Sequence, residues 1–291
     1  MIICADDYGL SPSVNDGIIE LIESKRISAV SCMMLGSDVE IGIRKLQVLK
    51  KNFDLGLHLM LTNDQPLTKL KSESGLVDSQ GCLLPFRELV KNTYKKNIDY
   101  AQLTNEIMTQ VNRFIELTGH LPEYIDGHQH VQQLPLVRDA VAKIVSNLMK
   151  NYSKTNIYIR IAKLPFTWLM TKGVLNLRKF VVGNFMIILP GVPTTRLLDQ
   201  KNISHNRFLL GYYDYKTKNF ADIFQAYLSI KPIVKDIYFC HPGYVDQKLR
   251  NRDSVIESRV ETLNFLKSDQ CQEIMEHSKI SLNTFDGISI Y

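Results

Sequence analysis

What this 291-residue chain lacks narrows its identity before what it contains. Its five cysteines, Cys4, Cys32, Cys82, Cys240 and Cys271, are odd in number, widely spaced and without a CxxC pair. That argues against a disulfide framework and for a reducing compartment. No apolar run is long enough for a bilayer span. The most apolar stretch, "FVVGNFMIILPGV" (180–192), is short and broken by glycine and asparagine. No basic leader precedes the first apolar residues, because Met1 runs straight into "IICADD". No signal peptide is therefore expected, and the expected address is cytoplasmic. A large charge imbalance is missing as well: 35 basic residues against 30 acidic give a net +5. The basic residues are scattered, and the densest cluster, "KNTYKKN" (91–97), reads as a solvated helix face. No nucleic-acid partner is expected from that pattern. Internal repeats, low-complexity tracts and recognisable linkers are missing too.

What is present is an alternation of short apolar runs with amphipathic segments. "MIICA", "ISAVSCMML" (27–35) and "DLGLHLML" (54–61) read as strands, separated by helices over 11–26 and 39–52. A long polar loop follows, from Thr62 to Phe86. The clearest amphipathic helix, 99–119, is stopped by Gly119. "EYIDGHQHVQ" (123–132), "IYIRIA" (157–162) and "DIYFCHPGYVD" (236–246) read as further strands with polar ends, and a helix is expected from 134 to 151. The chain closes with one helix over 258–278 and a last strand, "ISLNTFD". Such alternation predicts an α/β fold with a parallel sheet, and its length suits a single-domain (β/α) barrel over residues 1–291.

Four strand ends carry the unusual residues: Asp6 with Asp7, His58, His128 with His130, and His241. In parallel α/β folds the C-terminal strand ends converge on one face, and that face hosts sites. Two adjacent carboxylates after an apolar run repel one another unless something compensates them, and a cation is the obvious candidate. Each residue alone has a bland reading: a strand-end histidine as packing, an Asp pair before Tyr-Gly as a turn device. Together, a carboxylate and two imidazoles make the donor set of an open divalent-metal site, with the second carboxylate free to act as a base. If "HQH" is a strand, both its rings point the same way. Tyr8, Tyr244, Phe166 and Trp168 are aromatic enough to stack on sugar rings, although core packing is the default for each. The apolar stretch 164–192, with Lys172, Arg178 and Lys179, reads as a helical insertion. It covers the barrel mouth, builds a homodimer interface, or meets an amphipathic acceptor such as a lipid-linked amino sugar.

The motifs "ADDYGLS", "GLHLMLT", "YIDGHQHVQQLP" and "CHPGYVD", in this order and spacing, resemble the YdjC-like carbohydrate deacetylases, which include chitooligosaccharide deacetylases. The resemblance runs from residue 2 to about 290 and takes in "NISHNRFLLG" and the "SRVETLNFL" helix, with the middle, about 164–200, matching least. It implies a distorted (β/α) barrel related to the polysaccharide deacetylases, while the residues themselves suggest a helical insertion or lid around 164–200. It further implies metal ligands Asp7, His58 and His128, a general base Asp6, a proton donor His241, and Arg160 orienting the base. Asp126 is then either a carboxylate holding an imidazole tautomer or a plain turn acid. The implied substrate is an N-acetylated oligosaccharide built of N-acetylglucosamine. The implied ion is Mg2+ by resemblance, whereas two nitrogens and a carboxylate favour zinc, iron or manganese by ligand type. Two positions depart from the family's Asp-Ser-His-His/Gln-His-Val-His motif: Gly127 stands for its serine and Gln132 for its final histidine. The "TNDQP" turn after His58 also lacks the family's usual glycine. Rival readings are hydrolysis of another amide or of a phosphoester, and sugar binding by a degenerate site.

Overall fold

Short runs of Ile, Val, Leu, Ala and Cys form the strands, because a parallel strand covered by helices must bury both its faces. In a computed structural model that describes residues 1–36, 38–49, 52–152, 156–165, 190–213 and 219–290, seven such strands are present. They are β1 (Ile2–Tyr8), β2 (Ala29–Cys32), β3 (Asp54–Leu59), β4 (Tyr124–Gly127), β5 (Tyr158–Ile159), β6 (Phe208–Leu210) and β7 (Asp236–Cys240). Every position is buried in all of them but β6. All neighbours pair in parallel, in the order β5-β4-β3-β2-β1-β7-β6.

The sheet curls until its two edges meet. Ile159 N donates to Ser204 O (2.9 Å) and Leu209 N to Lys163 O (2.8 Å). Between them the buried Asn206 side chain accepts from Ile161 N (2.7 Å) and donates to Ile161 O (2.9 Å). A side-chain amide thus stands in for the ladder where β5 and β6 are too short to pair fully. The result is the (β/α) barrel that the alternation predicts, distorted as the resemblance implies.

Ten helices are described: α1 (Pro12–Glu23), α2 (Val39–Gln47), α3 (Phe86–Lys95), α4 (Tyr100–Thr118), α5 (Val137–Asn151), α6 (Gly191–Gln200), α7 (Phe220–Leu228), α8 (Gln247–Arg252), α9 (Glu257–Lys267) and α10 (Asp269–His277). Their ends follow capping chemistry. Ser11 accepts from Val14 N ahead of Pro12, Asp99 accepts from Ala101 N and Gln102 N, and Gly119 ends α4 at φ 80°.

Three expectations are corrected. The closing helix is two helices, because Ser268 is extended (φ −71°, ψ 153°) and its hydroxyl caps α10 by accepting from Cys271 N. "ISLNTFD" is not a strand of the sheet. It crosses beneath the barrel floor, where Asn283 N donates to Met1 O, Phe285 N to Asp54 Oδ2, and the Phe285 ring stacks on Tyr158 with centroids 3.8 Å apart. "HQH" does not extend β4: residues His128–Gln133 form a short helical turn with Gln129 and His130 left-handed. The stretch 164–192 lies for its greater part outside the described residues, Phe166, Trp168, Lys172, Arg178 and Lys179 included. Among the described residues, no helix is long and apolar enough to cross a membrane.

Candidate active site

The C-terminal ends of β1, β3, β4 and β7 bring the site together. Adjacent residues on a regular strand face opposite ways, so Asp6 and Asp7 could not share a site without an irregularity. One is present: the β1–β2 register shifts between Ala5 and Tyr8, and Asp7 takes a left-handed φ of 70°. Such strain costs on the order of 1–3 kcal/mol and clusters where function requires it. Register brings in the partners. His58 lies directly across from Asp126 on β4, and Ala5 across from Cys240, so Asp6 and His241 emerge side by side.

Asp6 is buried and gripped by a fork: Arg160 Nη1 donates to its Oδ1 (2.7 Å) and Nη2 to its Oδ2 (2.6 Å). Burial alone would raise the Asp6 carboxyl, but the Arg160 charge and hydrogen bonds outweigh it and hold the group at about 2. The same guanidinium reaches Asp126 Oδ2 (2.8 Å), which also accepts from Ser31 Oγ (2.6 Å), and lies 3.3 Å from Cys4 Sγ. Cys4, Asp6 and Asp126 have metal-like spacing. Arg160 already supplies the cation there.

Asp7 is divided between two sets of partners. Its Oδ1 faces His128 Nδ1 at 3.1 Å and His58 Nε2 at 3.3 Å. Its Oδ2 accepts from Arg259 Nη2 at 2.6 Å, with His241 Nε2 4.0 Å away. Burial would raise this carboxyl; the Arg259 charge and the hydrogen bond with His128 hold it well below the usual range. Burial would likewise lower the His58 pKa, but Asp126, 2.7 Å from its Nδ1, carries it up to about 10. With Nδ1–H given to Asp126, His58 turns Nε2 towards a carboxylate oxygen, an arrangement satisfied by a proton or by a metal ion. One donor atom each from Asp7, His58 and His128 lies within 4.8 Å of the others. The donor set therefore fits a divalent cation.

His241 is buried beside Asp7, and burial pulls its pKa below the ordinary value against the nearby Asp7 and Asp6. His130 takes no part in the cluster. It packs edge-on to Phe239, with Tyr212 Oη 3.1 Å from its Nε2, and burial, with Arg160 close by, pushes it down to about 3. The two motif departures touch one another. A β-carbon at Gly127 would come within 2.9 Å of Gln132 Oε1, and Gln132 Nε2 donates to Arg160 O (2.6 Å). Tyr8 is a core residue whose hydroxyl donates to Gly42 O (2.6 Å), and Tyr244, partly exposed, reaches back to Glu20 (2.6 Å). Arg259 and Ser31 escape a sequence reading. The one available signal was an arginine in line with Leu263 and Leu266 on the buried stripe of α9.

Residues 1–277 match the protein family described as YdjC-like protein. Among curated relatives, a Clostridium beijerinckii protein named carbohydrate deacetylase is 25% identical over 99% of both chains. A Yersinia enterocolitica protein named chitooligosaccharide deacetylase is 31% identical over 47% of this chain and 52% of its own. The chain spans about half the length of several curated relatives that it matches. A solved Enterococcus faecalis structure, described as a candidate cellobiose-phosphate cleavage protein, superposes with a TM-score of 0.71 at 19% identity, covering 99% of this chain and 98% of the other. At that identity the likeness concerns the fold alone.

Proposed function

Since the chain belongs to the YdjC-like protein family, we propose that it is a metal-dependent carbohydrate N-deacetylase, acting on N-acetylglucosamine units of a small chitooligosaccharide or related N-acetylated sugar. The observation that carries this reading is the convergence of Asp7, His58 and His128 on one point, beside a second carboxylate held separately by Arg160. The names of the Clostridium and Yersinia relatives support the reaction and the sugar class. Asp7, His58 and His128 would hold the ion. When bound, a divalent ion supplies Lewis acidity to an amide carbonyl and to water.

The remaining work falls to the chain. Asp6, anionic at every physiological pH, accepts a proton from the attacking water. Arg160 keeps that carboxylate fixed while leaving it lone pairs to spare. The leaving nitrogen needs a proton, and His241, just past the end of β7 with its Nε2 4.0 Å from Asp7 Oδ2, is the proposed donor. Asp126 fixes the His58 tautomer, and so the nitrogen that His58 presents. Acetate release from di-N-acetylchitobiose, measured with several divalent ions and with chelator, tests the proposal. Ion-dependent acetate release is expected. Sugar binding without acetate from any N-acetylated sugar, equal in wild type and Asp6→Asn, would replace it with a binding role.

A further inference from the structure

The two adjacent carboxylates are not treated alike. Both oxygens of Asp6 are taken by one guanidinium, at 2.7 and 2.6 Å. Only one oxygen of Asp7 meets a guanidinium, a second one that comes from the far end of the chain, while its other oxygen faces His128 Nδ1 and His58 Nε2. Arg259 is 1% exposed and among the largest fully buried side chains of the protein. It is itself anchored: Nε donates to Val255 O (3.0 Å), and Nη2 is shared between Asp7 Oδ2 and Asp253. Both anchors lie in the turn that leads into α9, so the guanidinium is held by that turn as well as by Asp7. A buried arginine stays charged at any working pH, which makes the grip permanent.

We infer that Arg259 is a positioning residue that reserves Asp7 Oδ2 and so restricts Asp7 to a single ligating oxygen, Oδ1. The inference rests on the metal reading of the site and goes beyond it by setting the coordination mode. A carboxylate chelates a cation through two oxygens only if both face it. Here Oδ1 faces His58 Nε2 and His128 Nδ1, while Oδ2 is turned towards Arg259 Nη2. Holding Asp7 to one oxygen keeps coordination positions open for water and substrate, which an open hydrolytic site requires. The left-handed φ of Asp7 is consistent with this division, because it aims the carboxylate between two partners rather than squarely at one.

Cobalt(II) reads coordination directly, since its visible absorption weakens as the coordination number rises. Wild type, Arg259→Met and Arg259→Lys are each loaded with Co2+, with bound metal counted by equilibrium dialysis. Wild type is expected to bind one ion. Arg259→Met is expected to keep the ion but lose roughly half or more of its visible absorption, as Asp7 Oδ2 swings in to chelate. Arg259→Lys, which keeps the charge but not the shared Nη2 contact, is expected to fall between them. A folded, loaded Arg259→Met with the wild-type spectrum overturns the inference alone; if Met does not fold, the wild-type spectrum in Arg259→Lys does so. A wild type that binds no cobalt overturns the inference together with the metal reading. A role confined to packing would lower stability without moving the spectrum.

Discussion

At the scale of single residues, the two ends of β3 carry opposite chemistry. His58, near the C-terminal end, belongs to the candidate site; Asp54, at the other end, belongs to the floor. Burial, with Glu123 and Asp286 nearby, raises the Asp54 carboxyl to about 7, against the Phe285 N–H that favours its anion. An unfolded aspartate titrates at about 3.9, so between about pH 4 and 7 the folded state holds a proton that the unfolded state has lost. The contribution of Asp54 is thus fully present below about pH 4 and is lost as pH rises through about 7. Asp54→Asn is expected to flatten the fall of Tm over that window, as followed by thermal unfolding at a series of pH values. An unchanged slope would show that Asp54 is not the titrating group.

At the scale of elements, the long loop after β3 is held by a side chain of α4. Glu106 is fully buried and accepts from Leu67 N (3.1 Å), Thr68 N (2.8 Å) and Thr68 Oγ1 (2.7 Å), while Gln110 ties Met60 at its N–H and carbonyl. Leaving buried donors without an acceptor costs about 1–3 kcal/mol each. Glu106→Ala is therefore expected to speed amide exchange at Leu67 and Thr68 by at least tenfold, about 1.4 kcal/mol of local opening, while β1 amides stay protected. Uniform acceleration would instead mark Glu106 as a determinant of global stability.

Element boundaries also mark where sequence reading fails. The strand cores and the 99–119 helix were legible because apolar periodicity and caps coincide there. The break at Ser268 was hidden inside a continuous helical pattern, although Ser-Asp is itself an N-cap signal. The turn at His128–Gln133 was hidden because left-handed Gln129 and His130 leave no trace in periodicity. A strand there would have aimed both histidines together; the turn sends His128 to Asp7 and His130 into the aromatic packing.

At the scale of the whole molecule, the parallel topology does the gathering. Residues 6, 7, 58, 126, 128, 160, 241 and 259 are scattered through the chain, and consecutive strand ends bring all but the last to one face. Motif residues were legible because each follows an apolar strand. Arg259 was not, since its partner is fixed by how α9 packs against the barrel and nothing local encodes that. The sequence also could not foretell that Asn206 would close the ring in place of a full strand pairing.

Two neighbouring aspartates are proposed to divide the labour, Asp7 to hold an ion and Asp6 to move a proton. Elemental analysis of purified wild type, Asp6→Asn, Asp7→Asn and His128→Ala tests it most directly. One divalent ion per chain is expected in wild type and Asp6→Asn, and none in Asp7→Asn or His128→Ala. Metal lost from Asp6→Asn but retained by Asp7→Asn would contradict it.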